Sequence, residues 1–277
     1  MTPEQYCQDK AAKSGSSFYY SFLFLPPEQR RAITALYAFC REVDDIVDES
    51  TNADLARTKL AWWRTEIGEL FHGTAQHPVT RALAPATTKF ALPESRFHEI
   101  IDGMEMDLDQ NRYANFDELK VYCHRVAGVV GLMAADIFGR TRETTLEYAE
   151  NLGTAFQLTN IIRDVGEDAR RNRIYIPLED LQRFQVDPDD ILHGRSSDQF
   201  TALIRFQIDR AREFYVRAFA ALPDADRRSQ RPGLVMAGIY RALLSDIEAK
   251  RIDVLTTRAS MTPIRKLWIA WRTWLGA

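Results

Sequence analysis

The sequence predicts an all-α protein folded as one domain over residues 1–277. Apolar residues recur three and four positions apart through segments of helix length, and no long stretch alternates with period two. The chain has 13 glycines among 277 residues, about 4.7% against a usual value near 7%, and only 11 prolines. No linker rich in glycine and serine divides it. Long helices around a single core are therefore favoured over many short strands.

Composition and charge exclude several classes of protein. Hydrophobic residues make up 45% and charged residues 27%, which excludes a disordered chain, a collagen-like chain and a disulfide-rich miniprotein. A net charge of −3 gives no electrostatic footprint for nucleic acid. Three cysteines, Cys7, Cys40 and Cys123, form no CxxC pair, which indicates a reducing compartment. No signal peptide and no run of 18 apolar residues is present, so we expect a cytoplasmic protein.

Turn-forming residues divide the chain into about eight to ten predicted helices. The expected breaks are Pro26-Pro27, 73–78, Leu92-Pro93, 139–141, 172–177, 187–194, 223–233 and Thr262-Pro263.

The first informative helix follows Pro26-Pro27 and carries the segment YAFCREVDDIVDE. At helical spacing Tyr37, Arg41, Asp44 and Asp48 share a wedge of about 60°. Two like charges one turn apart destabilise an isolated helix, and a hard cation would offset that repulsion. The alternative is a solvated acidic face, because a single DxxxD pattern is common.

A second helix, 120 residues further on, repeats this chemistry. In LGTAFQLTNIIRDVGED, the side chains of Gln157, Asn160, Asp164 and Asp168 form one polar stripe. Two facing stripes would form an acidic pocket that, filled with Mg²⁺, binds diphosphates. Arginines follow this stripe, and guanidinium groups suit phosphate oxygens. The segment is therefore interpreted either as a flap over a bound anion or as a solvated basic loop; its arginines are Arg163, Arg170, Arg171 and Arg173.

A third helix is apolar and rich in small residues. The segment LKVYCHRVAGVVGLMAADIFG contains Gly128 and Gly131, which indicate either close helix packing or a channel for a long apolar ligand. Tyr122 could place a hydroxyl beside such a channel. Aromatic residues elsewhere are interpreted as core or as a wall that stabilises a cation; they are Phe18, Phe22, Phe24 and Tyr240.

The C-terminal segment combines tryptophans with basic residues at helical spacing. Trp268, Trp271 and Trp274 alternate with Arg265, Lys266 and Arg272. The pattern is typical of a docked terminal helix or of peripheral contact with the inner face of a membrane.

Together these segments resemble the squalene and phytoene synthase family of trans-prenyltransferases. The resemblance rests on SSFYYSFLFLPP, YAFCREVDDIVDE, YCHRVAGVVG and QLTNIIRDVGEDARRNRIYIP, which follow the family's order. It implies an all-α isoprenoid synthase fold, a helical bundle around a central cavity. It also implies head-to-head (1′–1) condensation of two farnesyl diphosphates to presqualene diphosphate, with release of diphosphate, for squalene and hopanoid synthesis. A separate hydrolase and reductase would then consume the product.

The resemblance also implies roles for individual residues. More than one Mg²⁺ would be held by Asp44, Asp48, Asn160, Asp164 and Asp168. Catalytic roles fall on Tyr37, Arg41, Tyr122, Arg163, Tyr175 and Tyr240. Substrate would be bound by Phe18, Phe22, Arg41, Gln157, Asn160, Arg163 and Arg258. The chain departs from relatives at Asn172, where many carry glycine, and at Arg125, where eukaryotic squalene synthases tend to have tyrosine. No long C-terminal extension is present, and we expect no NADPH-dependent step.

Three other functions remain open at this stage. A phytoene or dehydrosqualene synthase of carotenoid biosynthesis would use the same motifs, because substrate length depends on the depth of the cavity. A di-iron carboxylate bundle would need two Glu-x-x-His motifs, and only Glu69-x-x-His72 occurs. A non-catalytic helical scaffold would leave two matched polar stripes unexplained.

Overall fold

The structure is a computed structural model and describes residues 1–13, 21–22, 24–50 and 52–276. It is 77% helical, and the residues that it describes form no strand, which confirms the predicted all-α class. A single isolated bridge pairs Arg112 with Ile174 between two loops.

Five of the helices described between residues 3 and 109 share one apolar cluster. Pro27 occupies the first turn of its helix, where the N–H that proline lacks would have no helical partner. At the start of the next helix, the Asn52 side chain accepts hydrogen bonds from the N–H groups of Asp54 and Leu55. Leu36, Phe39 and Ile100 are fully buried where these helices meet. The helices are α1 (Pro3–Lys13), α2 (Pro27–Glu49), α3 (Ala53–His72), α4 (Pro78–Lys89) and α5 (Glu94–Asp109).

The second half forms a larger cluster around one long helix. The described segments are α6 (Phe116–Cys123), a π-helical turn (His124–Gly128), α7 (Val129–Phe138), α8 (Thr144–Arg170), α9 (Leu178–Arg183), α10 (Pro188–Leu192), α11 (Asp198–Ala221), α12 (Asp224–Arg227), α13 (Arg231–Ala249) and α14 (Pro263–Gly276). The described part of the chain thus has more helical segments than the eight to ten predicted, because turns of four to six residues such as α10 and α12 carry no long apolar period.

Helix α7 joins the two clusters and packs closely on α8. Val129 and Met133 belong to the first cluster, whereas Ala135 belongs to the second. A Cβ atom on Gly131 would lie 2.6 Å from the Ala149 carbonyl oxygen, so glycine is needed for this approach. The stretch Phe116–Phe138 is long and apolar enough to cross a membrane by length and composition, and 44% of its apolar window is buried inside the protein.

Candidate active site

The first acidic stripe lies on α2 and is paired with arginine. Arg41 donates from Nη1 to Asp44 at 2.5 Å and from its other terminal nitrogen to Asp45. Burial raises the pKa of the Asp44 carboxyl to about 6, with the Asp48 charge adding to the shift and Arg41 opposing it. An additional positive charge nearby would lower this raised pKa and stabilise the carboxylate form of Asp44.

The second acidic stripe lies on the last two turns of α8. Asp164 accepts hydrogen bonds from Arg163, at 2.7 Å from Nε, and from Arg258, at 2.8 Å from Nε. Burial acts to raise the pKa of Asp164, but these two guanidinium groups hold it below its usual value. Asp168 forms no salt bridge within the described ranges, and burial together with the Asp164 charge raises its pKa to about 8.

The segment that follows α8 brings the two stripes together. Arg173 donates from Nη1 to Asp48 at 3.0 Å, and Arg171 pairs with the other oxygen of Asp48 at 2.9 Å. Asn172, between them, has a φ of 58°, in the left-handed region that asparagine tolerates and glycine adopts freely. The departure from glycine noted in the sequence therefore keeps the turn. Arg171 and Arg173 thus connect this turn to the first stripe, and a role as a flap over a bound anion stays a prediction.

A close backbone contact explains how Arg258 reaches the second stripe. The Gly166 N–H donates to the Val254 carbonyl at 3.1 Å, and a Cβ atom on Gly166 would lie 2.0 Å from the Leu255 carbonyl oxygen. The absent side chain lets the segment before Arg258 lie directly against α8. Gly166 thus supports the site, and its only sequence signal was its place between Asp164 and Asp168.

A buried acid–tyrosine cluster adjoins the two stripes, and its acid was not predicted. Asp107 on α5 accepts hydrogen bonds from Tyr175 at 2.8 Å and from Tyr122 at 3.0 Å. The two tyrosine rings are stacked, with centroids 5.1 Å apart. Burial raises the pKa of Asp107 to about 6. Its segment, IIDGMEMDLDQ, has the pattern of an ordinary amphipathic helix, and only one of its several acids turns inward.

Tyr240 on α13 lies on the other side of the second stripe. Its hydroxyl is hydrogen-bonded to Arg163, and burial raises its pKa despite that cation. Tyr37 on α2 is close enough to raise the pKa of both Tyr240 and Arg41 electrostatically. Tyr37, Tyr122, Tyr175 and Tyr240 therefore all lie near the charged groups.

An apolar cavity of about 180 Å³ begins at the polar stripe and runs along α8. Tyr37, Gln157 and Asn160 lie at its polar end. Tyr148, twelve residues before Asn160 on α8 and so about 18 Å away along the helix axis, lines its apolar end. The remaining wall comes from α2, the π-helical turn, α7, α8, α13 and Phe22; it includes Leu36, Ala127, Gly131, Ala134, Phe138, Gly153, Phe156 and Met236. Gly131 thus both packs closely on α8 and lines the cavity, whereas Gly128 packs against Glu150 and does not line it.

The residues at the polar end of the cavity fit a hard divalent cation. Asn160 Oδ1 is buried without a hydrogen-bond partner among the described residues, so an oxygen ligand faces the site unsatisfied. Carboxylates and an amide oxygen are the ligands that Mg²⁺ prefers. In the arrangement described, arginines separate the carboxylates, and no three of the described His, Cys, Asp or Glu side chains converge within metal distance.

The structure brings the predicted site residues of both stripes to one place. Phe18 lies outside the described residues, and its role stays a prediction. Sequence reasoning missed Asp107 and Gly166, and it missed the pairing of Arg173 with Asp48 across 125 residues.

Comparison with known proteins agrees with this geometry. Residues 11–265 match the model of the squalene/phytoene synthase family. A 15-cis-phytoene synthase from Synechocystis is 37% identical, over 98% of this chain and 84% of the relative. A chloroplastic phytoene synthase from an Oncidium hybrid is 36% identical over 95% of this chain, which spans 64% of that longer relative. The crystal structure of a dehydrosqualene synthase superimposes with a TM-score of 0.87 at 29% identity, covering 98% of this chain and 95% of that one.

These relatives correct the predicted product. Proteins 35–37% identical over 94–98% of the chain are named phytoene synthases, so the prediction of presqualene diphosphate for squalene and hopanoid synthesis is wrong. The error has a physical cause. The motifs that carry the resemblance are the ones predicted to bind diphosphate, whereas product length would depend on a cavity wall drawn from helices far apart in the sequence. The hydrolase and reductase are expected only as consumers of presqualene diphosphate, and they stay predictions.

Proposed function

The chain belongs to the squalene/phytoene synthase family, and on that premise we propose that it joins two C20 prenyl diphosphates head to head, releasing diphosphate and forming phytoene. One observation supports this most strongly: the two helices that carry the acidic stripes also line the polar end of an apolar cavity, through Tyr37 on α2 and through Gln157 and Asn160 on α8. A prenyl diphosphate has the same two parts, an anionic head and a long apolar tail.

The head of the substrate is bound by charges from three parts of the chain. Arg41, Arg163 and Arg258 provide forked donors that suit diphosphate oxygens. Mg²⁺, held by Asp44, Asp48, Asn160, Asp164 and Asp168, would supply positive charge that neutralises the departing diphosphate. When an anion binds, the arginines exchange their carboxylate partners for phosphate oxygens, and the carboxylates are freed for the cation.

The tail of the substrate lies in the apolar cavity, away from water. Departure of the diphosphate leaves an allylic cation, which water would capture, and the apolar wall that includes Leu36, Phe138 and Met236 disfavours water beside it. Phe22 and Phe156 present aromatic rings to the cavity, and each ring stabilises a nearby cation by roughly 0.5–2 kcal/mol.

The tyrosine hydroxyls organise the boundary between head and tail. Tyr122 and Tyr175 are fixed by Asp107, and Tyr240 is fixed by Arg163. In these positions they orient the anionic head and can relay the proton lost when the new carbon–carbon bonds form.

Product analysis tests the proposal. The protein is incubated separately with C15 and C20 all-trans prenyl diphosphates and Mg²⁺, without NADPH, and the organic extract is analysed by mass spectrometry. We expect a C40 hydrocarbon from the C20 substrate and loss of turnover in excess chelator. A C30 product formed with greater efficiency than the C40 product would refute the C20 assignment. Turnover that persists in chelator would refute the metal role.

Dehydrosqualene synthesis is the second candidate. It is supported by the likeness to the dehydrosqualene synthase structure, and it predicts that C15 diphosphate gives a C30 hydrocarbon in the same assay. A cytoplasmic location and a single domain stay predictions.

A further inference from the structure

Helix α14 carries its large apolar residues on the side that faces solvent. Ile264 is 81% exposed, Trp271 57% and Trp268 52%, and Leu267 and Leu275 are exposed beside them. At helical spacing these five side chains form one stripe about 100° wide. A surface helix of a globular protein normally turns such a stripe inward.

The opposite side of α14 is already used for docking on α13. Ile269 and Ala270 are buried, and a Cβ atom on Gly238 of α13 would lie 3.1 Å from Ile269 and from Thr273. The helix is therefore seated through its narrow, small face. The prediction of a docked terminal helix accounts for this side and leaves the tryptophan stripe without a partner among the described residues.

The charged residues of α14 itself are all basic: Arg265, Lys266 and Arg272. Arg265 is paired with Asp246 of α13, and Lys266 is half-buried on the side of the helix away from the stripe, so Arg272 is the cation that borders the stripe. Arg272 lies over the Trp268 ring, 4.6 Å from its centroid, and is exposed at the edge of the stripe. Aromatic residues bordered by a cation match the interface of an anionic membrane, where rings sit at headgroup depth.

The stripe adjoins one end of the cavity. The Trp274 ring packs against Phe24, with centroids 5.1 Å apart, and lies under Arg231 at 5.5 Å. Phe22 and Pro232, close in sequence to these two contacts, line the cavity. The apolar surface of α14 thus continues toward the apolar interior.

We propose that α14 docks the protein on the surface of an anionic phospholipid bilayer, inserting Trp268, Trp271 and Ile264 between headgroups. The exposed Arg272 beside the stripe favours this occupant over a second copy of the chain, because a copy docked on the same face would bring like charges together. If the proposed function also holds, docking would place the cavity next to the bilayer interior, which dissolves a C40 hydrocarbon. This consequence rests on the proposed function, whereas the docking itself does not.

Vesicle flotation tests the docking with the full chain. Vesicles contain either phosphatidylcholine alone or equal amounts of phosphatidylcholine and phosphatidylglycerol. We expect binding to the anionic vesicles that weakens in high salt, and a partition coefficient at least roughly tenfold lower for the double variant Trp268→Glu, Trp271→Glu. Trp62→Glu is the matched control, since Trp62 is 48% exposed on α3, outside the stripe, and its binding should equal wild type.

The outcomes separate the possible occupants. Equal flotation of the double variant and wild type, or no flotation of wild type, would overturn the proposal. A dimer in wild type that becomes a monomer in the double variant, measured by analytical ultracentrifugation without lipid, would assign the stripe to a second copy. Turnover of the double variant in detergent should match wild type, so failure of docking and failure of the proposed activity are read in different assays.

Discussion

The guanidinium of Arg173 binds the carboxylate of Asp48 at 3.0 Å and so joins the two acidic helices across 125 residues of sequence. The Arg173 side chain is only 13% exposed, and burial acts against its charge while Asp107 and Asp48 support it. The contact places the turn after α8 over the first stripe. It makes the two stripes one electrostatic unit before any substrate binds.

Replacing this arginine should damage the site far more than replacing its exposed neighbour. In Arg173→Gln, Asp48 loses its buried partner, and we expect kcat/KM for the prenyl diphosphate to fall by roughly 10²-fold. Arg171→Gln is the matched control, because Arg171 binds the same carboxylate but is 52% exposed, where an ion pair contributes about 0–1 kcal/mol. Equal effects of the two substitutions in steady-state kinetics would contradict this account.

The parts of the fold that follow from local chemistry could be read from the sequence. Pro27 begins α2, and the spacing of Asp44 and Asp48 puts both on one helical face, as the structure has them. The stripe on α8 follows from the same period. These features depend on residues a few positions apart, so one segment contains the whole signal.

Features that depend on distant segments could not be read in this way. Asp107 differs from the neighbouring Asp109 only in facing the cluster formed by Tyr122 and Tyr175, which come from other parts of the chain. Gly166 matters because of a loop some 90 residues later. The prediction of substrate length is wrong for the same reason, because the cavity wall is assembled from several helices and no single motif determines its depth.

Asp107 should prove a positioning residue for the two tyrosines. Tyr122 and Tyr175 donate to different oxygens of Asp107, so in Asp107→Asn the side chain keeps its shape but one hydroxyl faces an NH2 group and loses its acceptor. We expect kcat to fall by roughly 10–10²-fold with KM changed less. Asp109→Asn, on the exposed side of the same helix, is the control and should retain wild-type kinetics.

The pH profile adds a readout that a purely structural role would not move. The pKa of Asp107 is raised to about 6, so its carboxylate form is lost as pH falls through that value. The acidic limb of kcat/KM should therefore flatten in Asp107→Asn. An unchanged acidic limb would count against the assignment.

Gly166→Ala should separate Arg258 from the second stripe. The new methyl group would overlap the Leu255 carbonyl, so the segment that carries Arg258 must move away from α8. We expect about 1–3 kcal/mol of destabilisation and a raised KM for the prenyl diphosphate. Gly194→Ala, in a turn with a φ of 65° where a Cβ atom would meet no neighbour, is a control that strains the backbone at another turn. Wild-type KM in Gly166→Ala would refute the role of the contact.

Asp226 should carry a pH-dependent part of the stability. Burial acts to raise its pKa, but hydrogen bonds from Thr141, Thr145 and the Arg142 N–H lower it to about 2. The folded pKa lies below the unfolded value of about 3.9, so the stabilisation is complete above pH 5 and is lost as pH falls from about 4 towards 2. We expect Asp226→Asn to lower the free energy of unfolding at pH 7 by about 2–3 kcal/mol.

Urea unfolding at two pH values checks this prediction. The difference between Asp226→Asn and wild type should shrink between pH 7 and pH 3, because wild type loses the carboxylate contribution and the variant has none to lose. Asp224→Asn, exposed in the same short helix, should match wild type at both pH values. A difference that is constant with pH would show that the carboxylate charge is not the source.

The most direct test of the central claim is turnover of C20 prenyl diphosphate by Asp48→Asn and Asp168→Asn, one variant from each acidic stripe. Asp189→Asn, on the exposed α10, controls for loss of an acidic residue elsewhere. If the two stripes act together on the diphosphate, each of the first two variants loses at least roughly 10²-fold in kcat/KM while remaining folded, and Asp189→Asn stays at the wild-type rate. Near wild-type turnover in both Asp48→Asn and Asp168→Asn would contradict the account.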